Sequence, residues 1–127
     1  MNKKENMKKN IMNYLDDFEK YGLIQEEASE SGEYKKANAI LKKLEEILWI
    51  AKVDSNSEEF YLKILSTSKR KCTLINACAH IMKLNIQTDL ARKELEKIAN
   101  NPEKSIDRLS ARLFLQEWDN GNIRPLD

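Results

Sequence analysis

Between Ser57 and Gly121 the chain writes one phrase twice: an amphipathic helix, a polar break, then a second helix more apolar than the first. A unit of this kind cannot bury its own apolar face; spacing alone fits either a helical bundle or stacked helical hairpins, and the contrast between half-exposed helices and a nearly all-apolar fourth favours the stack, in which each unit covers its neighbour. Only three glycines and two prolines punctuate the sequence. Almost no stretch alternates apolar and polar residues with period two, so the fold class is all-α. At 127 residues and 14.8 kDa the chain makes one domain that can bury a core without staples or metals. The first few residues and residues 122–127 are expected to be flexible ends of a single helical-repeat domain.

The spacing predicts six helices. Met7, Ile11, Tyr14, Leu15, Phe18 and Tyr21 recur at intervals of three and four and mark one stripe of a first helix, with Lys8, Lys9, Asp16, Asp17 and Glu19 facing water. Gly22 weakens that helix without ending it, and the stripe continues through Gln25 and Ala28 to Ser29 or Ser31, before Gly32. Ala37, Ile40, Leu41, Leu44, Ile47, Leu48 and Ala51 mark one face of the second helix, with Trp49 beside the stripe and expected to pack in the core, the alternative being an exposed anchor for a partner. Ser55 and Glu58 fit a capping box ahead of a short third helix carrying Phe60, Tyr61, Ile64 and Leu65. The fourth, from about Lys69 to Leu84, leaves only a narrow polar strip of Thr73, Asn76, His80 and Lys83, so it must lie inside. The fifth opens at Thr88 or Asp89 and buries Ala91, Leu95, Ile98 and Ala99. The sixth starts at Ser105, runs through Ile106, Leu109, Leu113, Phe114 and Trp118, and ends at Gly121 in the left-handed conformation. Trp118 is expected to pack.

Charge and composition narrow the function classes. The 22 Lys and Arg against 21 Asp and Glu leave a net charge of +1, which supplies no global field for a polyanion. A charged fraction of 34% and a mean hydropathy of -0.67 describe apolar residues that are spaced, and the longest apolar run, Ile47 to Ala51, is far below the roughly 20 residues of a membrane span. The segment Met1 to Asn6 has no apolar stretch with a small-residue cleavage site, so the reading is cytoplasmic. Cys72 and Cys78 lie on well-separated faces of one helix, rotated by about 600°. With no Cys-x-x-Cys pair and a single histidine, they read as small apolar thiols in a reducing compartment; no metal and no cofactor is expected.

Several segments together resemble an uncharacterised bacterial domain family of HEAT/armadillo-like helical repeats: Glu33-Tyr34-Lys35-Lys36-Ala37-Asn38, Ala77-Cys78-Ala79-His80, Leu95-Glu96-Lys97-Ile98-Ala99, Ser110-Ala111-Arg112, and the closing Leu-x-x-Trp-x-x-Gly of Leu115, Trp118 and Gly121. The resemblance runs from about Gln25 to Gly121. It implies a short right-handed α-solenoid of about three helical hairpins. Where such repeats often carry an arginine near the start of the inner helix, this chain has Leu74. Some small bacterial repeat domains of this type look like immunity proteins that bind and block a toxin, which is the analogy for function here.

Asn76, His80 and Lys83 are spaced to project from one side of the fourth helix, as a partner-recognition strip; the alternative for His80 is a core-edge histidine bonded to a carbonyl. Catalysis by His80 would require a nucleophile or a paired carboxylate in reach, and no motif marks one. Glu26, Glu27, Glu30 and Glu33 crowd eight residues and form an acidic patch suited to a basic protein partner. Lys69-Arg70-Lys71 is the one basic cluster and carries the competing reading, a nucleic-acid-binding repeat, which the near-neutral charge disfavours. The sequence therefore reads as a non-catalytic protein-binding domain whose partner could be a cognate toxin, with no membrane contact.

Overall fold

Asn10 starts the first described element by accepting the Met12 N–H on its side chain at 3.0 Å, which tightens Ile11–Tyr14 into a single 3-10 turn. The computed structural model describes residues 10–126; Met7, the other N-terminal residues expected to be flexible and Asp127 lie outside that range. The turn runs directly into α1 (Leu15–Glu30), followed by α2 (Tyr34–Val53), α3 (Ser57–Thr67), α4 (Lys71–Leu84), α5 (Thr88–Ala99) and α6 (Ile106–Asp119). No strand occurs among the described residues.

The helix ends follow local chemistry. Gly32 and Gly121 take φ of 75° and 79° after α1 and α6, a conformation that a side chain would strain. Asn85, at φ 54°, closes α4 the same way, a use of asparagine not foreseen from the sequence. Ser105 caps α6 by accepting the Arg108 N–H at 3.1 Å, as its position predicts. The capping box expected of Ser55 and Glu58 is absent. Asp54 takes over that corner, accepting the Asn56 N–H at 2.8 Å on one carboxylate oxygen and the Ile11 N–H at 2.8 Å on the other. One aspartate thus shapes the α2–α3 turn and ties it to the start of the chain.

The pairs α1/α2, α3/α4 and α5/α6 each pack together, and α4 also packs against α1, α5 and α6 and touches α2. Its burial explains why. Thr73, Ile75, Ala77, Cys78, His80, Ile81 and Met82 are buried and together cover most of its circumference. Phe18 of α1, Phe60 and Tyr61 of α3 and His80 of α4 meet edge to face, with ring centroids 4.9–5.9 Å apart. Each buried large side chain of this kind stabilises the fold by about 1.5–3 kcal/mol.

The two ends of α2 behave differently. Its second half buries Leu44, Ile47, Leu48 and Ala51, whereas its first half runs out past the core, leaving Tyr34 and Leu41 exposed. Trp49, expected in the core, is 55% exposed and carries the Lys52 ammonium 5.2 Å over its ring. It sits one residue off the buried stripe, and α1 already covers that stripe. Trp118 packs as expected, stacked on Phe114 at 6.0 Å. The C-terminal segment is docked, in contrast to the flexible end expected: Leu126 donates its N–H to the Lys83 carbonyl at 2.7 Å.

Gly22 lets α1 reach α4. A Cβ there would collide with Thr73 Oγ1 and stand 3.2 Å from Thr73 Cβ. Thr73 Oγ1 is itself buried without a hydrogen-bond partner among the described residues, so the contact is held by shape. Gly22→Ala should therefore cost about 1–3 kcal/mol by overpacking despite alanine's better helix propensity. Thr73→Ala should relieve most of that loss, giving a positive coupling in a double-mutant cycle followed by urea unfolding; additive effects would contradict the close approach.

Candidate functional site

Where α4 is not covered, a groove opens. Its floor is Cys72, Ile75 and Asn76 of α4; one wall is Gln25, Glu26, Ser29 and Glu30 of α1, and the other is Ser105, Ile106, Asp107 and Ser110 at the start of α6. The space measures about 320 Å³, at the low end of the range of roughly 300–1,000 Å³ for ligand pockets. Gln25 organises the floor: its Oε1 accepts from Asn76 Nδ2 at 2.8 Å and from Cys72 Sγ at 3.1 Å. Burial, then the Asp107 and Glu26 carboxylates, push the Cys72 thiol up to about 12, so it stays protonated and donates.

Among the described residues, three carboxylates line this space and no basic residue does. Glu26 accepts from Arg70 Nη1 at 3.1 Å, and Arg70 also lies 3.8 Å from Glu19. Arg70 approaches from outside the groove lining and holds only Glu26 among the three. The Asp107 carboxyl is raised above its ordinary range, first by burial and then by Glu26 and Glu30, with Lys71 acting in the opposite direction. A cation entering the groove would relieve that crowding.

The groove gathers three of the sequence-predicted residues, Glu26, Glu30 and Asn76, and separates them from the rest. Glu27 is exposed, about 100° round α1 from Glu26. Glu33 lies beyond the Gly32 turn and accepts from Ser31 Oγ at 3.0 Å. Lys83 is half-buried near Trp49 and the C-terminal segment. His80 is not on an outward strip. Only 6% exposed, it meets the Tyr61 hydroxyl through Nδ1 at 2.7 Å, so its partner is a phenol and not a carbonyl. The outward strip of α4 is Cys72, Asn76, Ala79 and Lys83, all half-buried, and His80 and Thr73 lie roughly 40–80° round from Asn76 and Lys83.

Sequence reasoning missed Gln25, Ser110 and Asp107. Gln25 continues the apolar stripe of the first helix by spacing, while Asp107 and Ser110 follow the Ser105 cap on a helix whose periodicity points to packing alone. Next to the groove, α6 presents Ile106, Leu109 and Leu113 to solvent at 53%, 58% and 49% exposure. Its core contacts come from another face, through Ala111, Phe114, Leu115 and Trp118. Among the described residues no group of three or more histidine, cysteine, aspartate or glutamate side chains is placed to hold a metal ion, and no helix is long and apolar enough to cross a membrane. Comparison of the chain with protein-family models, with curated proteins and with solved structures finds no match.

His80 has a pH signature. Burial, with a smaller contribution from the Lys83 charge, lowers its pKa to about 3, while burial keeps the Tyr61 phenol well above its ordinary range. The pair is therefore a neutral imidazole and a protonated phenol. Below an unfolded-state value of about 6.5 the unfolded chain takes up a proton that the folded chain refuses. Stability should fall as pH drops from about 6.5 towards 3, with this residue contributing up to about 1.4 kcal/mol per pH unit. His80→Gln, whose amide can meet Tyr61 without titrating, should flatten that acid limb in thermal melts; an unchanged limb would place the sensitivity elsewhere.

Proposed function

We propose that this chain is a non-catalytic protein-binding domain, a short right-handed α-solenoid of HEAT/armadillo-like hairpins that serves in the bacterial cytoplasm as a toxin-immunity protein or adaptor. The observation that carries the reading is the stripe Ile106, Leu109 and Leu113 on α6, exposed at i, i+3 and i+7 beside a groove. A monomer gains nothing by keeping three large aliphatic side chains aligned in water, and such a row is the register in which one helix recognises another. The solenoid reading is supported by the packing of consecutive helix pairs and by α4 lying between α1 of the first pair and both helices of the third. A non-catalytic role is supported by His80, whose Nδ1 is committed to Tyr61 inside the core.

The competing reading, nucleic-acid binding through Lys69, Arg70 and Lys71, fares worse. Arg70 is already paired with Glu26 and Glu19, and Asp107 lies close to Lys71. A polyanion would meet carboxylates along with the cluster.

Affinity capture of the tagged full chain from its native host tests the proposal. One protein should co-purify in stoichiometric amount, and Leu109→Asp with Leu113→Asp should reduce its recovery by about tenfold or more while the circular dichroism spectrum stays unchanged. Recovery of the chain alone, or with nucleic acid and no protein, would overturn the reading.

A further inference from the structure

The stripe on α6 and the groove beside it share a residue. Ile106 is both the first member of the exposed row and part of the groove wall, and Asp107 and Ser110 face into the groove one position beyond Ile106 and Leu109. The surface is therefore one continuous feature, apolar along α6 and acidic where it dips towards α4. An apolar row alone would accept any greasy helix. The dip selects among them.

We infer that the occupant is an amphipathic basic helix of the protein partner, its apolar face on Ile106, Leu109 and Leu113 and one arginine inserted into the groove between Glu30 of α1 and Asp107 of α6. This rests on the protein-binding reading above and adds the chemistry of the partner. The row from Ile106 to Leu113 spans about two helical turns, so a helix crossing it can place apolar side chains on the row and still send a neighbouring side chain into the groove. Charge complementarity specifies the rest. Glu26 is held by Arg70, and Asp107 feels the Lys71 charge from outside the groove lining without an ion pair between them among the described residues, so Glu30 and Asp107 are the carboxylates facing an incoming group. They come from opposite walls, which suits the planar fork of a guanidinium better than the single ammonium of lysine. Ile75 and Ile106 line the same space and would pack against the methylene stem, while the Gln25, Asn76 and Ser110 side chains supply polar edges.

The test uses a phage-displayed library of helical peptides about four turns long, with one face randomised, panned against the full chain. Selected peptides should carry an arginine next to leucine, isoleucine or phenylalanine spaced by three or four residues. A synthetic copy should bind about tenfold more weakly to the Glu30→Gln, Asp107→Asn chain and to the Leu109→Asp chain, with binding to His80→Gln unchanged. Replacing the peptide arginine by lysine should weaken binding, and replacing it by norleucine should weaken it further. Among the described residues the acidic-wall substitutions remove no hydrogen bond that holds the fold, and thermal melts confirm folding. Selection of peptides without a basic residue, binding indifferent to Glu30→Gln with Asp107→Asn, or failure to select any peptide would overturn the inference. A host protein captured through Leu109 but insensitive to the two carboxylates would leave the protein-binding reading standing and remove only the arginine.

Discussion

Every other feature of this fold depends on α4 being enclosed by its neighbours. Four helices lean on it and a fifth touches it, so its sequence must be small or apolar over most of its surface. Ala77, Cys78, Ile81 and Met82 meet that demand simply. The two polar residues drawn inside are handled differently. His80 is satisfied by Tyr61 and framed by Phe18, whereas Thr73 Oγ1 has no partner and faces the one position on α1 that lacks a side chain. An unsatisfied buried hydroxyl costs about 1–3 kcal/mol. Its tolerance here reflects how tightly Gly22 brings α1 and α4 together, and that approach sets the position of the groove's acidic wall.

The same constraint accounts for the groove. The half-buried strip of α4 is flanked by α1 on one side and α6 on the other, and the floor that remains is bridged by Gln25 to Asn76 and Cys72. Carboxylates from two helices then face one small space without a basic residue in its lining among the described residues. The α6 row beside it stays exposed because α6 uses a different face for its contacts with α5 and α4.

The helices themselves were legible because their signals are local. Periodicity in Ala37–Ala51 and Ile106–Trp118, the Ser105 cap and Gly121 all act within a turn or two, and the helices form where they point, although Leu41, Ile106, Leu109 and Leu113 of the marked stripes face solvent. What was not legible depends on which helix lies opposite. The polar strip of α4 was read as Thr73, Asn76, His80 and Lys83, but the outward line is Cys72, Asn76, Ala79 and Lys83, because α1 and α3 close over Thr73 and His80. Spacing alone puts Glu26, Glu27, Glu30 and Glu33 in one acidic patch. Helical rotation and the Gly32 turn leave only Glu26 and Glu30 on the groove, and Asp107 joins them from a helix far along the chain. Trp49 likewise lay one residue from a stripe whose cover α1 already supplies. Nothing in the local sequence carries that information.

Native-state hydrogen exchange resolved by residue tests the central role of α4 most directly. The backbone amides from Ile75 to Met82 should exchange only through global unfolding and be the slowest in the chain, slower than those in the exposed first half of α2. Exchange of the α4 amides as fast as those of Ala37–Lys43, at a free energy well below that of global unfolding, would contradict a fold organised around this helix.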